Sequence, residues 1–197
     1  MPTIETLFLL ALSILAMESA DSIRSLYRHF LSGITQKSLN AFYYACSYAK
    51  ADCFRFMNVT AAMALKIIPQ NLASQPVFLC IDDTMAAKSG KKFEDVSKLF
   101  DHAAHNGSNY MNGHCFVSVM LCVPVWNKNR VHYLSVPPGC RMWQKKESRL
   151  ELAASMVRQV MPEFKTMKNV ILLCDSWYVK KNLVSIVDEY ENLDLIG

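Results

Sequence analysis

The stretch Val77-Phe78-Leu79-Cys80-Ile81-Asp82-Asp83-Thr84 decides how this chain is read. Five apolar residues in a row, bounded on both sides, predict a short strand buried on both faces, and the run breaks directly into two acids. The pattern returns in Val170-Ile171-Leu172-Leu173-Cys174-Asp175. Two such strands, each ending in a carboxylate, imply an α/β sheet, and the carboxyl ends of an open sheet's strands are the usual place for a ligand.

Upstream of Val77 the period is helical. Ala11, Ile14 and Leu15 recur at helical spacing, and Ile23, Leu26, Tyr27 and Phe30 share one face of a second segment that Gly33 punctuates. Residues 38–48 predict a helix burying Leu39, Phe42, Tyr43 and Cys46, and residues 52–68 another that ends near Pro69. Gln75-Pro76 marks the change of period, so the chain divides into a helical N-terminal region, 1–75, and an α/β region, 76–197. Two helices joined at a glycine admit a helix-turn-helix whose Arg24, Arg28 and Lys37 meet phosphates, and more simply a plain helical hairpin. The apolar run at 7–17 is too short to span a bilayer, and residues 1–6 hold Glu5 but no Lys or Arg. A secretory signal is therefore not expected, and the run predicts a buried helix.

Downstream, Cys115–Val125 and Arg130–Val136 predict two strands joined across Trp126-Asn127-Lys128-Asn129. Residues 148–160 predict a helix with Ser148 and Glu151 as a capping box. After the strand at 170–174, residues 180–190 predict a helix, and Leu193–Ile196 begins a further strand. The order suits a mixed sheet with a central pair of buried strands.

The composition is that of an ordinary folded protein, 52% hydrophobic and 19% charged, which excludes a disordered chain. A net charge of +4 says little, but its distribution says more. Residues 84–168 carry thirteen Lys or Arg against six Asp or Glu, while residues 1–75 carry six against four. The excess thus lies between the two acidic strand ends, where a phosphate backbone cut by those acids would need neutralising. A merely solvated Lys-rich surface would give the same count. Seven cysteines without CxxC spacing suggest neither a zinc site nor a disulfide framework, and fit a reducing cytoplasm.

If the two apolar strands are neighbours, their terminal acids converge. Mg²⁺ keeps an octahedral oxygen shell and is usually held by one or two carboxylates plus substrate phosphate. Two ions about 3.5–4 Å apart could activate a water or a 3′-hydroxyl and stabilise the leaving oxygen of an in-line displacement. An Asp that caps the following turn is the structural alternative at each strand end. Residue chemistry alone therefore reaches a metal or phosphate site and stops there.

Ile81-Asp82-Asp83-Thr84, then Lys88 with Gly90, then Asn112-Gly113-His114 opening a strand, then Leu173-Cys174-Asp175-Ser176-Trp177-Tyr178 resembles the DDE-type insertion-sequence transposases, whose catalytic domain is RNase H-like. The helical start with Ser38-Leu39-Asn40-Ala41-Phe42-Tyr43-Tyr44 is similar too, so the resemblance covers essentially the whole chain. It implies a helical N-terminal region followed by a truncated RNase H-like mixed sheet with flanking helices. It implies metal-dependent phosphodiester hydrolysis and strand transfer at insertion-sequence ends, with Mg²⁺ as cofactor and Mn²⁺ as substitute. DNA, as transposon ends and target, is the implied partner. No membrane is implied, and a homodimer stands as an option for the full-length relative. Asp82 and Asp175 match the first two catalytic, metal-binding acids. Asp82 is preferred because Thr84 stands two places on, as Ser or Thr commonly does in the family, and Asp83 stays open because only one of two successive strand residues can aim at the metals. Lys88, Lys91 and Lys92 are placed to touch DNA. The family's third acid, a Glu on a later helix, is expected beyond the strand at Leu193, and Glu189 and Glu191 precede that strand. The expectation is thus an N-terminal fragment, inactive alone, with a catalytically inactive DNA-binding or interaction remnant as the alternative.

Three further features carry less. His114 reads as a hydrogen-bonded sheet residue sooner than a ligand. His102 and His105 have a spacing some zinc sites use but no third partner nearby. Trp177 and Tyr178 could stack on an unpaired base or simply fill the core at a strand-to-helix turn.

Overall fold

The computed structural model describes residues 2–19, 22–49, 52–89, 93–100 and 109–197, which divide into two units, 1–52 and 53–197.

In the first unit, helix α1 (Pro2–Ala16) is followed by α2 (Ile23–Leu26), a π-helical turn at Tyr27–Leu31, α3 (Ser32–Ile34) and α4 (Leu39–Tyr48). Ser22 starts α2 as an N-cap, its side chain accepting from the Ser25 amide at 3.1 Å. Leu10, Leu26, Leu31 and Phe42 form the core, with Ile23, Tyr27 and Phe30 packed against it as their spacing predicts. Two expectations differ. The apolar helix α1 is not buried: it sinks Thr6, Leu10 and Ser13, while Phe8 and Leu15 are 65% and 86% exposed. Nearly every position of the helix is apolar, so the sequence could not tell which stripe the small core would cover. In α4 the buried stripe is Phe42 and Ala45, while Tyr43 and Cys46 are exposed. Phe42 joins Leu10, Leu26 and Leu31 in the core and reaches Tyr27 with ring centroids 5.9 Å apart, so packing against the other helices settles the helix's rotation.

The second unit opens with α5 (Cys53–Lys66) and continues with β1 (Val77–Ala87), β2 (Ser97–Phe100), β3 (Tyr110–Asn127), β4 (Arg130–Met142), α6 (Arg149–Val160), β5 (Val170–Cys174), α7 (Lys181–Val187) and β6 (Leu193–Ile196). The unit begins at 53 rather than 76 because Met57, Ala61 and Ala64 of α5 pack into the same core as the sheet. The six strands form one mixed sheet in the order β2-β3-β1-β5-β6, with β4 also paired to β3. Thus the mixed α/β architecture with flanking helices expected from the sequence is present. Lys128 and Asn129, both at positive φ, make the two-residue hairpin turn between β3 and β4. The β3–β4 register shifts between Val119 and Leu121, facing Pro137-Pro138, where β4 has no amide to donate.

Strand alternation assigns the faces. Val77, Leu79, Ile81, Val117, Val119, Leu121, Val170, Leu172 and Leu193 join α5, α6 and α7 in one core. Each such side chain contributes about 1.5–3 kcal/mol by leaving water. The run 77–81 was expected to be buried on both faces. Instead it alternates, with Phe78 and Cys80 half-buried on the opposite face. That opposite face is the one on which Asp82 stands. Among the described residues no helix is long and apolar enough to cross a membrane.

Candidate functional site

Strands β1 and β5 are parallel neighbours, in register from Val77 opposite Val170 to Ile81 opposite Cys174. Asp82 and Asp175 each follow the last pair, so their backbones are neighbours across strands about 4.8 Å apart. Strand β5 ends before Asp175, whereas β1 runs on past Asp82 to Ala87 in its ladder with β3, so the first acid lies within its strand and not at the strand end expected. Both are exposed. Each has one oxygen already engaged. Asp82 Oδ1 accepts from the Asp83 amide at 2.8 Å, and Asp175 Oδ1 accepts from the amides of Trp177 at 2.8 Å and Tyr178 at 3.2 Å. Asp175 therefore does cap the turn after its strand, as the structural alternative expects, and the two amide bonds hold its carboxylate in place.

Asp83 is turned the other way. Its side chain is on the core face, 15% exposed, where its Oδ2 pairs with Arg149 of α6 and accepts from Cys115 Sγ at 3.2 Å. The Arg149 guanidinium also lies over the Trp177 ring, 4.3 Å from its centroid. One arginine thereby joins the middle of β1, the start of α6 and the turn that holds Asp175. Tyr178 is buried beneath, and burial, with the Asp83 carboxylate nearby, pushes its hydroxyl above the usual tyrosine range. Of the two aromatics after Asp175, Tyr178 is thus core and Trp177 is partly exposed under the arginine. Sequence reasoning missed Arg149. It lies 66 positions from Asp83 in the chain, and only the packing of α6 on the sheet brings the two together.

The remaining candidates are scattered. Lys88 follows β1, its amide donating to the Asn112 carbonyl at 2.9 Å and its ammonium 5.7 Å from the Phe93 centroid. Lys91, Lys92, Gly90, His102 and His105 lie outside the described residues. His114 is a hydrogen-bonded sheet residue, its Nε2 2.8 Å from the Glu94 carbonyl. Gly113 has a packing reason: a Cβ there would strike the Ala86 carbonyl oxygen of the adjacent strand. Arg24 and Arg28 are exposed in the first unit, and Lys37 pairs with Glu5 at 3.2 Å. Glu189 is held by Arg158 through its Nε and Nη2, a contact that keeps its carboxyl below the usual range. Glu191 is exposed.

Among the described residues no group of three or more His, Cys, Asp or Glu could hold a metal ion. The pair Asp82 and Asp175 fits Mg²⁺ by donor chemistry, since two hard carboxylates leave the rest of an octahedron to water and phosphate. It does not fit a site built wholly from protein ligands.

No protein-family model matches the chain, and no curated protein does. Among solved structures it is similar to a Mos1 transposase paired-end complex with left transposon end, at 10% identity and a TM-score of 0.29. That match covers 96% of this chain and 57% of the other. It is similar also to a Mos1 strand transfer complex, at 12% identity and 0.28 over 98% and 57%. A Mos1 mariner paired-end complex with Mn gives 12% and 0.28 over 96% and 57%. The chain thus spans 57% of the length of the solved chains it matches, and likenesses of this size leave the site to stand on its own geometry.

Proposed function

We propose that this chain is part of a DDE-type transposase of the insertion-sequence kind, an RNase H-like nuclease and strand transferase acting on DNA, in which Asp82 and Asp175 bind Mg²⁺ or Mn²⁺. The observation that supports the reading is the parallel β1–β5 pairing, which makes neighbours of the backbones just past Ile81 and Cys174, where two acids 93 positions apart in the chain stand, one within β1 and one directly after β5. Bound there, the metal would supply Lewis-acid stabilisation for an in-line displacement at a phosphodiester. Asp82 and Asp175 would hold it, each carboxylate steadied by backbone amides that donate to Oδ1. Asp83 is not a ligand in this reading, because its charge is already matched by Arg149. Lys88, with Lys91 and Lys92, neutralises the phosphates beside the acids, and Arg24 and Arg28 contact DNA from the helical region. The alternative is a catalytically inactive DNA-binding or interaction remnant of a transposase.

Two measurements separate these readings. Mn²⁺ titration followed by electron paramagnetic resonance should show binding that Asp82→Asn and Asp175→Asn each weaken at least about tenfold and Asp83→Asn leaves nearly unchanged. Metal-dependent nicking of an insertion-sequence end by a protein extended to the third acid should disappear in the same two variants. Metal and DNA binding without nicking would favour the inactive remnant, and metal binding indifferent to Asp175 would remove the proposed centre.

A further inference from the structure

Four lysines against two acids occupy residues 88–100, a stretch that also holds Phe93 and Phe100. Strand β2 buries Ser97 and Leu99, so Lys98 and Phe100 point to the other face of the sheet. Phe100 stands opposite Tyr110 and Lys98 opposite Asn112 in the β2–β3 ladder. The Phe100 and Tyr110 rings meet edge to face at 5.3 Å, and Lys98 Nζ lies 4.6 Å from the Tyr110 centroid. A second group follows on the same face of β3. Phe93 contacts His114 at 6.5 Å, His114 contacts Phe116 at 6.1 Å, and the Lys88 ammonium lies over Phe93. Despite these contacts Phe93 and Tyr110 are each 51% exposed and Phe100 is 40% exposed.

These groups share their face with Asp82. In the β1–β3 ladder Asp82 stands opposite Ser118, Thr84 opposite Phe116 and Ala86 opposite His114. Residues two apart on a strand point the same way and lie about 7 Å apart. The row therefore begins about one such step from the Asp82 position and reaches Tyr110 after about 26 Å. Exposed rings alternating with ammonium groups along a pleated surface are what an unpaired strand requires, because bases stack on aromatic faces while lysines track the phosphates. A protein core would have buried the rings, and duplex DNA would offer them no base faces.

We infer that the sheet face bearing Asp82 carries a platform for unpaired DNA bases, made by Phe93, Phe100 and Tyr110 with Lys88 and Lys98. This rests on the reading of the chain as a DNA-acting protein, but it does not require the metal centre. Asp95, one of the two acids in the stretch, is engaged with Gln144 Nε2 at 3.0 Å on its own account.

The test is fluorescence anisotropy of a labelled twelve-nucleotide oligothymidylate with the whole chain in EDTA, so that binding and metal chemistry are read separately. Tyr110→Ala and Phe100→Ala should each weaken binding on the order of tenfold, while Tyr110→Phe keeps it. Lys98→Gln should weaken it less and reduce the slope of log affinity against log salt by about one. Because binding is read in EDTA, failure of the native chain to bind Mn²⁺ alongside normal oligonucleotide binding would fail the earlier proposal and not this one. Circular dichroism checks that each variant is folded. If an alanine variant is not, Tyr110→Phe and Lys98→Gln carry the comparison. Tighter binding of duplex DNA or of an oligoribonucleotide than of the oligothymidylate, or affinity indifferent to the aromatic substitutions, would overturn the inference.

Discussion

Arg149 shows what one side chain can decide near a pair of acids. With 25% of its side chain exposed against 15% for Asp83, the ion pair sits between the surface and buried limits. Arg149→Ala leaves Asp83 as a poorly solvated, unmatched charge and removes the contact over Trp177. A loss of about 1–3 kcal/mol in urea unfolding is expected. Adding Asp83→Asn should recover part of it, whereas strictly additive losses would show that the two groups do not interact. The neighbouring thiol gives a pH dependence. Burial pushes Cys115 up to about 12, with the Asp83 carboxylate adding to the effect. Its folded value lies above that of an unfolded thiol, so below about pH 8.5 both states keep the proton and stability is complete. As pH rises from there toward 12 the unfolded chain releases its proton first, and stability is lost. The urea midpoint should therefore fall more steeply between about pH 8 and about pH 10.5 in the native sequence than in Cys115→Ala, and parallel curves would contradict this. None of this was legible in the sequence, where Asp83 was only the less favoured neighbour of Asp82. Alternation along the strand told that the two acids diverge, but not that the second would meet an arginine.

At the scale of the element, local chemistry was read well wherever it was self-contained. Ser148 accepts from the Glu151 amide at 3.1 Å and Glu151 accepts from the Ser148 amide at 2.7 Å, the reciprocal cap foreseen for α6. Ser148→Ala should lower the thermal midpoint in step with a loss of about 1 kcal/mol, and Ser148→Asp much less. Calorimetry showing equal losses would place the serine's value outside the cap. The hairpin turn, both apolar strands and the strand at 193–196 were equally legible, because their signals lie within a few residues. Elements defined by partners were not. Strand β2 is four residues long and exists through its ladder with β3. The rotation of α4 depends on the packing of Phe42 with Leu10, Leu26, Leu31 and Tyr27. Helix α5 was read as part of the N-terminal region because nothing in its own residues says that Met57, Ala61 and Ala64 will lie beneath a sheet.

For the whole molecule, the neighbourhood of the two apolar runs was legible, and the surface around it was not. Apolar runs ending in acid named Asp82 and Asp175, and the β1–β5 register agrees with the neighbourhood that reading required. The open face between them and β2 was hidden, since Phe78 and Cys80 looked like core and the rings at 93, 100 and 110 belong to no motif. The register has a kinetic corollary. Strands β1 and β5 can zip together only after the intervening hairpin and α6 have formed or been looped out, and closing a loop of this length is entropically slow compared with local helix formation. Helix content would then return early during refolding while any grip on a divalent ion returned late, so that ion capture becomes a clock for the final docking of β5 rather than for collapse of the chain.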